Sequence, residues 1–288
     1  MHGAPGSTDE RNDEAPTTHD GETAAGGTGH PEATPTDGRI DVDWRRLATG
    51  LAGTLAFLVV WAAAASTQPS YLMPSPTAVT AAFLAELESG RMLASLGQSA
   101  IHYVPGVVLG TSLGTGLGIT MAWYRPVDDL FRPVVRILRP IPPIAWIAVA
   151  IVWVGIGHAG ATFVVAVGTF WISYYNAYAG VEGVPQEQLD AAAVLVANDR
   201  TVLRSVVLPN ATPAILTGVR TSVGRGWMTV VAAELFGAPG VGYEIITSAQ
   251  NLALAVTMSY MLLISGVFIA MDGTFRWLQR RLVRRRRW

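Results

Sequence analysis

The chain has 288 residues, 50% of them hydrophobic and 14% charged; it contains no Cys and no Lys, so all 20 basic residues are Arg. Without Cys there is no disulfide framework, thiolate nucleophile or Cys-ligated zinc, and without Lys there is no Walker A phosphate loop, Schiff base or kinase-type phosphate lysine. The formal net charge of -1 averages two unlike parts, an acidic leading stretch and a strongly apolar remainder whose charges are mostly Arg.

Residues 1–43 are rich in Gly, Thr, Pro, Asp and Glu and nearly devoid of large apolar side chains. Such a stretch cannot bury enough surface to offset chain entropy, which predicts a disordered acidic tail, bounded at residue 46. From Leu47 onward the chain carries long uncharged runs. A bilayer core of about 30 Å takes about 20 apolar helical residues, so these runs predict an all-α, polytopic membrane protein with about six spans. They fall near Leu47–Ala65, Ser99–Trp123, Ile141–Gly157, Ala161–Gly180, Ala211–Leu235 and Leu252–Phe275. The first follows an acidic tail rather than a short positive segment and exceeds a signal-peptide core in length, so it is expected to stay as an anchor.

Arginines near span ends resist translocation. With the N-terminus inside, Arg45, Arg46, Arg125, Arg132, Arg136, Arg139, Arg200, Arg204, Arg276 and the basic C-terminal end, residues 277–288, all fall on the cytoplasmic side, and Arg91 alone lies in an external segment. This predicts N-in, C-in, in the cell membrane. The external connector has Pro69, Pro74 and Pro76 ahead of an amphipathic piece, Thr77–Leu87, and completes a first region, residues 47–92. The inner loop of residues 181–210 has apolar residues at helical spacing between Pro185 and Pro209, predicting two short helices at the membrane face.

Within that loop Asp190-Ala191-Ala192, then Val196-Ala197 and Leu208-Pro209, resemble the EAA loop of ABC-importer permeases. Asp190 stands where the family has Glu, and Val196 where it has Gly. Physically, small alanines let a helix sit close in a partner's groove, and one carboxylate offers a charge-assisted contact to a partner cation. Met73-Pro74-Ser75-Pro76, Leu138-Arg139-Pro140-Ile141-Pro142-Pro143-Ile144-Ala145-Trp146, and Ala233-Glu234-Leu235-Phe236-Gly237 with Gly240-Val241-Gly242 are similar to the nitrate/sulfonate/taurine branch of those permeases. The resemblance implies a type I importer permease domain over residues 93–276. It also implies an external substrate-binding protein, a second permease copy or homologue, and two ATPase subunits that bind ATP and Mg. This chain itself is expected to hold no cofactor or metal and to bind no nucleic acid.

Gly106, Gly110, Gly114 and Gly118 recur every four residues and so share one helix face, a ridge for close helix packing. Gly110-Thr111-Ser112-Leu113-Gly114 matches G-x-S-x-G formally, but a nucleophile elbow needs a strand-to-helix turn. Arg225, near the middle of the fifth span, is costly there unless paired or wetted. It either faces the translocation path and touches an anionic substrate, or holds helix carbonyls or a carboxylate at a subunit interface. Glu234, near the outer end of the same helix, is a second candidate for the path or an anchor for the external loop beginning at Gly237. Asp272 and Arg276, four apart, can pair on one helix face. The five His residues form no ligand cluster in sequence, and the Arg284–Arg287 run serves as a topology anchor open to anionic lipid. No constellation for a membrane enzyme is present; a channel or secondary transporter without an ATPase is the competing expectation.

Overall fold

The computed structural model describes residues 44–195 and 198–284, with side chains at 46, 47, 193, 278–280 and 282–284 excepted. The predicted acidic tail up to residue 43, the pair Val196 and Ala197, and Arg285–Arg287 lie outside the described residues. Two units divide the chain, residues 1–49 and 50–288. Of the first, the described residues 44–49 form the opening turns of α1 (Trp44–Ser66).

Every regular element among the described residues is helical. After α1 the Trp61 indole donates to the Pro74 carbonyl at 3.1 Å, drawing the connector back against the helix. Ser75 then caps α2 (Pro76–Glu88): its hydroxyl accepts from the Ala78 N–H at 3.2 Å, and Pro76 supplies a first helical position that needs no donor. Gly90, at φ 75°, turns the chain into α3 (Arg91–Trp123), which starts eight residues ahead of the predicted second span.

The centre of the second unit is α6 (His158–Glu182), packed lengthwise between α3 and α9 (Leu208–Glu234). The predicted glycine ridge faces α6. A methyl group on Gly106 would meet the Val165 side chain; on Gly110, the Thr169 hydroxyl and the Ala166 carbonyl; on Gly114, the Phe170 carbonyl; on Gly118, the Tyr174 carbonyl. Without Cβ atoms the two backbones approach closely enough for dispersion contacts along four turns. The G-x-S-x-G pentapeptide therefore lies inside a helix; buried Thr169 of α6 meets this ridge at Gly110, while buried Gly168 and Ser173 face Thr229 and Ser222 of α9.

Among the described residues four helices are long and apolar enough to cross a membrane, five if one bent pair counts as a span. The 25-residue α6 is not one of the four. Its residues serve helix contacts inside the protein, so it dispenses with the apolarity that lipid contact demands. The third predicted span is corrected. Residues 141–157 are not one helix: α4 (Arg125–Leu138) is followed by Pro140, Pro142 and Pro143, a 3-10 turn at Pro143–Ala145, and the eight-residue α5 (Trp146–Trp153). The prolines remove donors, Pro142 is extended ahead of Pro143 (φ -65°, ψ 145°), and the pair bends by 83°. Eight residues rise about 12 Å, well short of a bilayer core of about 30 Å.

The inner loop folds as α7 (Gln186–Leu195) and α8 (Asp199–Val202), the latter capped by Asn198, whose side chain accepts from the Arg200 N–H at 3.0 Å. Leu208-Pro209 does not stop the second helix as expected. A π turn, Leu203–Val207, leads straight into α9, and residues 199–234 form one continuous 36-residue helix. Pro209 clashes with an ideal α-helical ladder; the wider π turn absorbs the mismatch. The chain ends with α10 (Val241–Gln250) and α11 (Leu254–Arg284).

Candidate functional site

Charge separates the two ends of the bundle. At the end holding α7 lie Arg132, Arg136, Arg139, Arg200 and Arg204 on α4, its C-cap, α8 and the π turn. At the opposite end, near α10, Arg91 pairs with Glu86 at 2.5 Å, and the Tyr260 hydroxyl donates to the other Glu86 oxygen at 3.1 Å. That contact fastens α2 to α11.

Between α9 and α11 opens a cavity of about 650 Å³. Arg220, Arg225, Met228, Phe268 and Asp272 line it. Asp272 pairs with Arg276 at 2.7 Å, the predicted contact, and also receives Arg220 at 2.9 Å, which ties α9 to α11. Arg225 differs from Arg220. It is exposed, it projects from α9 nine residues before the helix ends at Glu234, about 14 Å along the axis, and its guanidinium pairs with none of the described residues. Two guanidiniums against one carboxylate already committed to Arg220 and Arg276 leave the cavity net positive, with Met228 and Phe268 as apolar walls.

Glu234 is placed elsewhere. It is fully buried, and its carboxylate spans two partners: Oε1 lies 2.6 Å from His102 Nε2, and Oε2 accepts from the Gly242 N–H at 2.6 Å. His102 in turn faces His158 across 3.0 Å between their Nδ1 atoms. Sequence reasoning missed this cluster because its members come from α3, α6 and α9. The one available signal was His102 as the sole ionisable residue of the second predicted span. Among the described residues no group of three His, Asp or Glu side chains is arranged to hold a metal ion.

The inner-loop residues separate by face. Asp190 is exposed and accepts from the Gln186 amide at 2.9 Å. Ala191 is exposed, whereas Ala192 is buried in the chain's own core with Val181, Val202, Val207 and Ala211. Val194 and Leu195 at the end of α7 stand 87% and 83% exposed. Pro209 lies in the first turn of α9.

This architecture matches solved importers. The MetNI methionine ABC transporter in an inward-facing conformation aligns with a TM-score of 0.56 and 21% identity, covering 67% of this chain and 94% of that one, which establishes the fold. The family and the relatives that follow set the class, an ABC transporter permease, a multi-pass plasma-membrane protein. The chain belongs to the family of binding-protein-dependent transport system inner membrane components, whose model matches residues 106–288. An ABC transporter permease protein of Methanocaldococcus jannaschii is 33% identical over 195 residues, 67% of this chain and 73% of that protein. The taurine transport system permease protein TauC of Escherichia coli is 32% identical over 239 residues, covering 80% and 87%. The bicarbonate transport system permease protein CmpB of Synechococcus elongatus is 29% identical over 262 residues, covering 84% and 92%.

Proposed function

We propose that this permease imports a small anionic solute of the taurine, sulfonate, nitrate or bicarbonate kind, along a path bounded by the cavity between α9 and α11. An external binding protein delivers the solute. A second permease copy or a homologue closes the path. Two separate ATPase subunits, which bind ATP and Mg, drive alternation between inward-open and outward-open states. The observation that carries this reading is Arg225, an exposed guanidinium on a membrane-crossing helix that pairs with no carboxylate among the described residues. In lipid such a group is strongly disfavoured, so its face of α9 belongs to a wetted path or a subunit interface. A passing anion gains there a charge-assisted contact that is weak enough to release.

The α7–α8 loop is the docking element in this reading, and the gathering of arginines at its end supports a cytoplasmic placement with both chain ends inside. ATP-driven closure moves the permease through contacts that differ between the two states; without that difference no coupling free energy exists. The test uses the full complex in proteoliposomes. Arg225→Gln is expected to assemble with its ATPase and lose anion transport, and normal transport by that variant overturns the path assignment. Asp190→Arg with Ala197→Trp is expected to abolish co-purification of the ATPase, and unchanged assembly overturns the docking assignment.

A further inference from the structure

A second cavity, about 570 Å³ in volume, lies between α4 and α6 at the α7 end of the bundle. Arg132, Arg136 and Arg139 of α4 and its C-cap line it together with Tyr175 and Tyr178 of α6, and the buried Asp128 is also in the lining. Their charge is not cancelled. Asp128, the one acid in the lining, is paired with Arg132 one turn on. The Arg139 guanidinium sits 4.3 Å over the Tyr175 ring, a cation–π contact that uses its face and leaves its in-plane N–H donors free. Arg136 pairs with none of the described residues.

The opposite face of α4 has the contrary character. Leu130 and Ile137 are 68% and 69% exposed, and Phe131 and Val134 are exposed beside them. A helix with one bulky apolar face and one arginine face lies in the plane of the headgroups, with its apolar side toward the acyl chains. In a multi-pass membrane protein the anion held at that depth in the highest local concentration is the lipid phosphate itself.

We propose that the α4–α6 cavity binds the phosphate headgroup of an anionic phospholipid, with Arg136 and Arg139 as the principal donors and the tyrosines as its floor. Guanidiniums offer forked N–H donors to phosphate oxygens, and each is strengthened where water is partly excluded. A soluble phosphate meets the same donors but lacks the anchoring membrane, so it binds weakly. The site also sits directly ahead of the proline break into α5, so its occupant braces the bent segment. Nothing in this inference depends on what the permease carries.

The test is native mass spectrometry of the full complex released from nanodiscs containing phosphatidylglycerol and phosphatidylcholine. The wild type is expected to retain phosphatidylglycerol selectively, and Arg136→Gln/Arg139→Gln to retain it about tenfold less, with Arg125→Gln, which lies outside the cavity, unchanged. Partial recovery in Arg136→Lys/Arg139→Lys is expected, since charge is kept and the fork is lost. Should the Gln variant fail to assemble, wild-type selectivity decides alone. Equal retention of the two lipids, undiminished retention by an assembled Gln variant, or displacement of the lipid by millimolar inorganic phosphate overturns the proposal.

Discussion

His102 Nε2 lies 2.6 Å from Glu234 Oε1, and neither side chain has any exposed surface. The two residues are 132 positions apart, so the contact locks α3 to α9 at the α10 end of the bundle. Through its second oxygen Glu234 also holds the Gly242 N–H, and Cβ atoms on Gly240 or Gly242 would collide with Glu234. The Gly240-Val241-Gly242 sequence is thereby explained as backbone folded around a buried carboxylate, while Ser99 accepts from the intervening Val241 N–H at 3.0 Å.

Removing one partner from this clamp leaves the other buried without compensation. Glu234→Ala is expected to cost about 3–5 kcal/mol, measured as a loss of thermal stability of the solubilised permease. Because the partners share one network, His102→Ala combined with Glu234→Ala should cost clearly less than the sum of the single variants. Strictly additive losses would show that the two side chains do not support each other.

The glycine ridge gives a comparison within one helix. Gly114→Ala drives a methyl into the Phe170 carbonyl, whereas Gly116 has open space where its Cβ would go. Overpacking should make Gly114→Ala lose about 1–3 kcal/mol. Gly116→Ala should be neutral or gain up to about 1 kcal/mol, the difference in helix propensity. Equal melting shifts for the two variants would mean that α3 and α6 do not pack as closely as described.

What could be seen in the sequence was local. The four-residue recurrence of Gly106 through Gly118 and the spacing of Asp272 and Arg276 are periodicities of one helix, and both faces find their partners as expected. Pro185 ahead of α7 is also a local signal. Long-range closure was hidden: nothing near Arg220 announces Asp272, 52 residues away, and nothing near His102 announces His158 or Glu234. The break between α4 and α5 failed for another reason. Its prolines were visible, but the apolar run Ile141–Gly157 outweighed them, although composition sets where a segment is soluble and not whether its axis is straight. Arg220, the residue that joins α9 to α11, has no carboxylate within its own stretch of sequence to mark it as a joint.

That joint has a measurable strength. Arg220 and Asp272 are each about one-third exposed, at 35% and 29%, so their pairing is partly screened. A double-mutant cycle of Arg220→Gln and Asp272→Asn should return a coupling of about 1 kcal/mol. Arg276→Gln alone should lower stability less than Asp272→Asn, because Asp272 serves both arginines. A coupling of zero would make the cross-helix contact incidental.

The docking role proposed for α7 can be separated from its folding role on the same ten residues. Val194 and Leu195 leave nearly all their surface uncovered, while Ala192 is packed among Val181, Val202 and Ala211. Apolar side chains held open on a short helix at the protein's surface cost water contact with no return inside the chain, which suits a surface that a partner covers. Leu195→Glu should therefore leave the permease's own melting temperature unchanged and reduce co-purified ATPase about tenfold or more. Ala192→Leu should do the reverse at first order, destabilising the permease by about 1–3 kcal/mol through overpacking. If Leu195→Glu retains the ATPase in full at limiting concentration, the exposed end of α7 is not what the ATPase grips, and the docking contact must lie on the Asp190 side of the helix.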